Sequence, residues 1–218
     1  MKWLTIGFAA AAGVVLANTP LAAQSLTISQ VNATLPICVF DEACASLGTT
    51  SSANLQFYMQ GEPGLLRTRT LPGLTGSRAA GATDYEYQID LTAVPASGGS
   101  ECIVGMVFGF STIERIDYGH GRVDLYVISS GSQGTIAPTA ANQIAPGLIE
   151  VDFGAGVCAG QASEPFGLAS TQGSPAAADI RLLEPGPVPI LDVTARLPPG
   201  TIGASVPGAP TNLHVVNP

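Results

Sequence analysis

The sequence predicts an all-β fold, an antiparallel β-sandwich of jelly-roll-like character, on three observations. Gly (26) and Pro (17) interrupt nearly every window long enough to hold a helix. Several short segments alternate apolar and polar side chains with a period of two, which is the strand period. Turn residues punctuate these segments at short intervals, dividing the chain into roughly seven to nine strands.

The chain opens with MKWLTIGFAAAAGVVLANTPLAAQS, in which a basic Lys2 precedes an apolar run and then small residues up to Ala23. This order reads as a cleaved secretory signal peptide over residues 1–23, the run being too short for a membrane anchor. The domain then spans 24–197, and a Pro/Gly-rich tail occupies 198–218. The mature chain carries seven arginines against sixteen carboxylates, a formal charge of −9. With no basic stripe, nucleic acid is excluded as a partner, and after cleavage no transmembrane anchor remains. The expected location is exported: periplasm, cell surface or extracellular space.

Taken in order, "SLTISQV" and "ANLQFYM" are weak strand candidates. Residues 60–84 read as a long Gly/Pro-punctuated connection carrying three of the arginines. "DYEYQIDLTA" is the firmest strand, with Tyr85, Tyr87, Ile89 and Leu91 on one face and Glu86, Gln88 and Asp90 on a wet one. "ECIVGMVFGFS" sets Cys102, Val104, Met106, Phe108 and Phe110 against a small-residue face, the pattern of a central strand. "IERIDY" and "RVDLYVIS" flank Gly119-His120-Gly121 as a hairpin. "GLIEVDFGAG", "PFGLAST", "ADIRLL" and "PILDVTARL" complete the set.

The four cysteines, Cys38, Cys44, Cys102 and Cys158, allow three pairings. Locality favours Cys38 with Cys44, leaving Cys102 at one strand's start and Cys158 past another's end, where antiparallel neighbours meet. On that pairing "PICVFDEACASLG" is a closed loop with Asp41 and Glu42 at its exposed tip. A zinc site would need tighter cysteine spacing and supporting histidines. The letters Gly154, Gly156 and Ala159 mimic a dinucleotide fingerprint, but no helical period follows them.

No cofactor is expected, although a structural calcium ion stays open because it requires no linear motif. No nucleophile elbow or catalytic carboxylate pair stands out, so catalysis is not expected. The binding candidates are Arg67, Arg69 and Arg78, whose guanidinium forks match carboxylated or sulfated glycans, together with Tyr118 and His120 at the hairpin. Tyr58 and Tyr126 are further candidates for an aromatic platform.

With "FGFS", "GLIEVDFGAGVCAG" and "EPFGLAST" in view, the chain resembles uncharacterised exported bacterial proteins with cysteine-bearing β-rich domains. That resemblance implies a soluble, disulfide-stabilised module of the envelope and carries no catalytic residues with it. The expected function is non-catalytic: adhesion, glycan binding or surface assembly, with a glycan, another surface protein or further copies of the chain as partner. The alternative is a secreted hydrolase acting on polysaccharide by carboxylate catalysis.

Overall fold

A computed structural model describes residues 23–32, 35–45, 48–55, 64–96, 102–129, 133–172, 176–185 and 190–197. The body of the expected signal peptide, Tyr58 and the 198–218 tail lie outside the described residues. The strands are β1 (Gln24–Ser25), β2 (Ile28–Val31), β3 (Thr49–Leu55), β4 (Gly64–Pro72), β5 (Thr83–Asp90), β6 (Cys102–Gly109), β7 (Ile116–Asp117), β8 (Arg122–Val123), β9 (Leu125–Ile128), β10 (Ala140–Ala145), β11 (Leu148–Cys158), β12 (Phe166–Ser170), β13 (Ala176–Leu183) and β14 (Ile190–Leu197). One helix, α1 (Leu35–Phe40), lies between β2 and β3.

These strands form two six-stranded sheets and one short hairpin. The first sheet runs β1-β10-β11-β6-β13-β14 and the second β2-β9-β12-β5-β4-β3, with β7 and β8 paired separately. All pairings are antiparallel except β2 with β9, which is parallel. The fold is therefore a β-sandwich, as the alternation predicts.

The space between the sheets is filled by the apolar faces that the period of two assigns. Tyr85, Tyr87 and Ile89 of β5 meet Met106 and Phe108 of β6, Ile149, Val151 and Phe153 of β11, and Ile180 and Leu182 of β13. Edge-on and tilted ring pairs, such as Tyr85–Phe110 at 5.7 Å and Tyr87–Phe108 at 5.2 Å, lock the two layers together.

In β6 the faces do not follow simple alternation along the whole strand, because Ile103 joins Met106 and Phe108 in the core. The cause is in the partner strand: the β11 register shifts between Asp152 and Val157, where Gly154 and Gly156 take positive φ. These glycines are thus a bulge, not a phosphate cradle, and the chain continues from them as strand to Cys158.

Both disulfides form as locality suggests, Cys38–Cys44 and Cys102–Cys158. Cys102 and Cys158 sit directly opposite each other on β6 and β11. Two disulfides and no free thiol among the described residues fit a non-cytoplasmic, oxidising setting. Among the described residues, no helix is long and apolar enough to cross a membrane.

The first clasp contains more structure than a bare loop. Pro36 suits an N-terminal helical turn, and α1 ends where the Asp41 carboxylate accepts from the amides of Ala43 (3.0 Å) and Ala45 (3.2 Å). Asp41 is consequently buried, a correction to its expected place at an exposed tip; Glu42 alone is exposed there.

The start of the domain is stitched into both sheets. β1 pairs with β10 of the first sheet and β2 with β9 of the second, so the chain changes sheets at Leu26 and Thr27. Thr27 fixes the crossing by donating through its amide (2.8 Å) and hydroxyl (2.6 Å) to Asp124, which also pairs with Arg115 at 3.2 Å.

In the loop-closure model the 56-residue separation of Cys102 and Cys158 is worth roughly 4 kcal/mol and the six-residue separation of Cys38 and Cys44 roughly 2 kcal/mol. Replacing the first pair by serine should therefore lower the urea midpoint more than replacing the second. Equilibrium unfolding of the two double variants checks that order.

Candidate functional site

The outer face of the second sheet is divided into a covered half and an open half. Over the covered half, α1, the connection 73–82 and the β7–β8 hairpin pack a second apolar cluster that includes Val39, Phe40, Leu71, Ile116, Tyr118 and Ile128. Backbone bonds from Leu74 to the Phe40 carbonyl (2.7 Å) and from Ala79 to the Val39 carbonyl (3.2 Å) tie the helix to the connection. The cover explains why the polar face of β5 is not uniformly wet: Asp84 is fully buried and Glu86 nearly so, while Gln88 and Asp90 emerge toward the open half.

A buried polar row marks the border between the halves. Tyr126 on β9 lies across β12 at Gly167, where an added Cβ would stand 2.6–2.7 Å from the tyrosine ring and hydroxyl. Only the missing side chain lets the Tyr126 hydroxyl reach Asp84 (2.5 Å) and Glu86 (3.1 Å) on β5. On the far side of Glu86, Arg69 of β4 donates to its carboxylate at 2.6 Å. Arg69 and Glu86 are directly opposed in the β4–β5 register.

The protonation of this row follows from its composition. One hydroxyl proton cannot serve two carboxylates at once, and a single guanidinium accompanies two acids. Burial, then the charge of Glu86, pushes the Asp84 carboxyl well above its ordinary value, against the weaker opposing pull of Tyr126 and Arg69. The Tyr126 hydroxyl donates to Asp84, the shorter contact at 2.5 Å, and Glu86, 3.1 Å away, is paired with Arg69. Burial, with Asp84 and Glu86 adding to it, also raises Tyr126 well above the ordinary phenol value. Burial opposes the charge of Arg69, but Glu86 outweighs it and the guanidinium is held more firmly protonated.

The open half is a polar groove. One cavity of about 410 Å³ is lined by Thr50, Ser52, Arg67, Arg69, Glu86 and Gln88 among others. A second of about 560 Å³ is lined by Asp90 and Thr92 among others, and the two share Arg67, Gln88 and Gln133.

Arg67 donates from Nε (3.0 Å) and Nη2 (2.6 Å) to the same oxygen of Asp90. Asp90 also accepts from the Thr92 hydroxyl (2.5 Å) and amide (3.0 Å). Burial acts against ionisation of Asp90, yet the bonds from Thr92 and then Arg67 hold its carboxyl below the usual range. The wall is set by Ser163, whose hydroxyl accepts from the Ile89 amide (2.9 Å), and by Gln88, whose amide donates to the carbonyls of Ser163 (3.2 Å) and Gln133.

The binding candidates read from the sequence fall into two groups. Arg67 and Arg69 line the groove, but from strand β4 and not from a loop, which corrects the reading of 60–84 as one long connection. Leu66, Thr68 and Thr70 face inward between them; two threonines on the buried face obscured the alternation.

Arg78, Tyr118 and His120 belong to the covered half. Arg78 and His120 are exposed, whereas Tyr118 is buried against Tyr126 (centroids 4.8 Å) and Phe40 (6.3 Å), so its ring is not presented to a ligand. Tyr126 is buried likewise and acts in the polar row. His120 rides a turn in which the Asp117 carboxylate accepts from the amides of Gly119 (2.8 Å) and Gly121 (3.0 Å), bonds that hold Asp117 below its ordinary value.

Sequence reasoning missed Gln88, Gln133 and Gly167 as site residues, since nothing local marks them. Among the described residues, no cluster of three or more His, Cys, Asp or Glu side chains is arranged to hold a metal ion. Comparison of the chain with family models, curated proteins and solved structures finds no match to any of them.

Two outcomes follow from the row. Gly167→Ala must displace the buried Tyr126 ring and should cost ~1–3 kcal/mol, typical of overpacking, as read by chemical denaturation. The folded Asp84 carboxyl lies above its unfolded value of 3.8, so its contribution is full below that value and is lost as pH rises toward the folded one. The slope is up to ~1.4 kcal/mol per pH unit. Asp84→Asn, which keeps an acceptor for Tyr126 but has no carboxyl to titrate, should gain stability relative to wild type as pH is raised above about 4. Denaturation curves for the two proteins across that range check the sign.

Proposed function

We propose that the protein is an exported, non-catalytic β-sandwich that binds glycan at or beyond the cell envelope, using the groove on the outer face of its second sheet. The observation that carries this reading is the groove itself: an extended polar trench whose side chains are fixed by neighbours before any ligand arrives. Preorganised polar groups lose little conformational entropy on binding, which favours recognition of a hydroxyl-rich ligand.

The rest of the described surface supports a polar partner. Among the residues whose burial is described, Leu74, at 47%, is the one large apolar side chain that is exposed, so these residues offer no extended apolar adhesion surface. The carboxylates of the groove are engaged in ion pairs with Arg67 and Arg69, which favours binding over acid–base chemistry.

The test is retention of the purified domain on a panel of immobilised neutral and anionic polysaccharides. Arg67→Ala should weaken retention about tenfold, the loss expected when a charged hydrogen-bonding group is removed from a site. Arg78→Ala and His120→Ala, on the other half of the face, should leave it unchanged. Retention that depends on Arg78 or His120 and not on Arg67 would overturn the placement.

A further inference from the structure

Resting on that glycan-binding reading, we infer that the groove selects an uncharged, polyhydroxylated chain, a neutral glycan, and discriminates against carboxylated or sulfated ones. Free guanidinium forks select anions because they supply parallel donors to carboxylate or sulfate oxygens. Each arginine of the groove already has a carboxylate beside it. Arg67 gives Nε and Nη2 to Asp90, and Arg69 gives Nη2 to Glu86. The four charged side chains lining the two cavities are therefore two cations and two anions, balanced pair by pair.

An incoming anion that used the N–H groups Asp90 and Glu86 leave unengaged would sit beside those carboxylates. Asp90 is held by Thr92 as well as by Arg67, and Glu86 by Tyr126 as well as by Arg69. The anion would therefore face a fixed negative group in a chain that already carries excess negative charge.

A neutral sugar meets the same surface differently. Each ion pair places donors beside acceptors, and a hydroxyl group both donates and accepts, so neighbouring hydroxyls of one sugar can bridge guanidinium and carboxylate without separating them. The Gln88 carboxamide, with its nitrogen given to the Ser163 and Gln133 carbonyls, adds its oxygen as an acceptor in the lining that the two cavities share.

The two pairs stand at successive outward positions of β4, roughly 7 Å apart by the strand rise. With two cavities sharing one set of lining residues, that spacing suits successive stretches of an extended chain better than one isolated ring. No exposed aromatic ring lies among the groove side chains named above, so affinity rests on hydrogen bonds and depends little on salt.

The experiment is titration calorimetry of the disulfide-intact domain with soluble galactomannan, xylan and β-glucan, and in parallel with polygalacturonate and dextran sulfate, each at low and high salt. Binding to at least one neutral polymer is expected, changing less than twofold with salt and weakened tenfold or more by Gln88→Ala. Denaturation curves for that variant keep folding loss separate from binding loss. Binding confined to the anionic polymers and abolished by salt would overturn the inference while leaving the glycan reading standing. Absence of binding to every polymer would overturn the glycan reading and the inference with it.

Discussion

The contact on which the rest of this architecture depends is the reach of Tyr126 across Gly167 to Asp84 and Glu86. It spans β9, β12 and β5, and through Glu86 it extends to Arg69 on β4. Four adjacent strands of one sheet are thus cross-linked on their outer face by side chains. The same tyrosine ring is packed against Tyr118 from the covering hairpin. A single aromatic side chain therefore joins the apolar cover to the polar groove, presenting its ring to one and its hydroxyl toward the other.

This arrangement settles how a face rich in carboxylates can be partly buried. Water is withdrawn from Asp84 beneath the cover, which pushes its carboxyl well above the ordinary value, and the cost is limited by the hydrogen bond that Tyr126 donates to it. Glu86 pairs with Arg69 at the edge of the cover, and Asp90 lies further along, where Thr92 and Arg67 surround it and hold its carboxyl below the usual range. Three acids on one strand face thereby meet three environments within seven residues of chain, from buried to solvent-facing.

Much of the scaffold was legible in the sequence, for physical reasons that also mark where legibility stops. β5 reads cleanly because its inward residues are large and its outward ones ionisable, and the Cys102–Cys158 bond follows from one strand beginning where its antiparallel neighbour ends. β4 was hidden by Thr68 and Thr70, polar side chains that nonetheless face inward, with Thr68 satisfied by the Ser51 hydroxyl at 2.7 Å. α1 has only six residues, too few to display a helical period. The site itself is a product of pairing: Arg69 meets Glu86 seventeen residues away, and Tyr126 meets Asp84 forty-two away. Local pattern sees neither partner, so the arginines read as a free cationic patch when each is in fact already matched.

The crossing at Leu26 and Thr27 has a mechanical meaning. The run from Gln24 to Val31 is hydrogen-bonded to β10 in one layer and to β9 in the other, with the Thr27–Asp124 clamp between. Tension applied along this run is divided between two ladders, one antiparallel and one parallel, and peeling it away requires both layers to yield. Under load, this strand acts as the shared seam through which force passes into the whole sandwich.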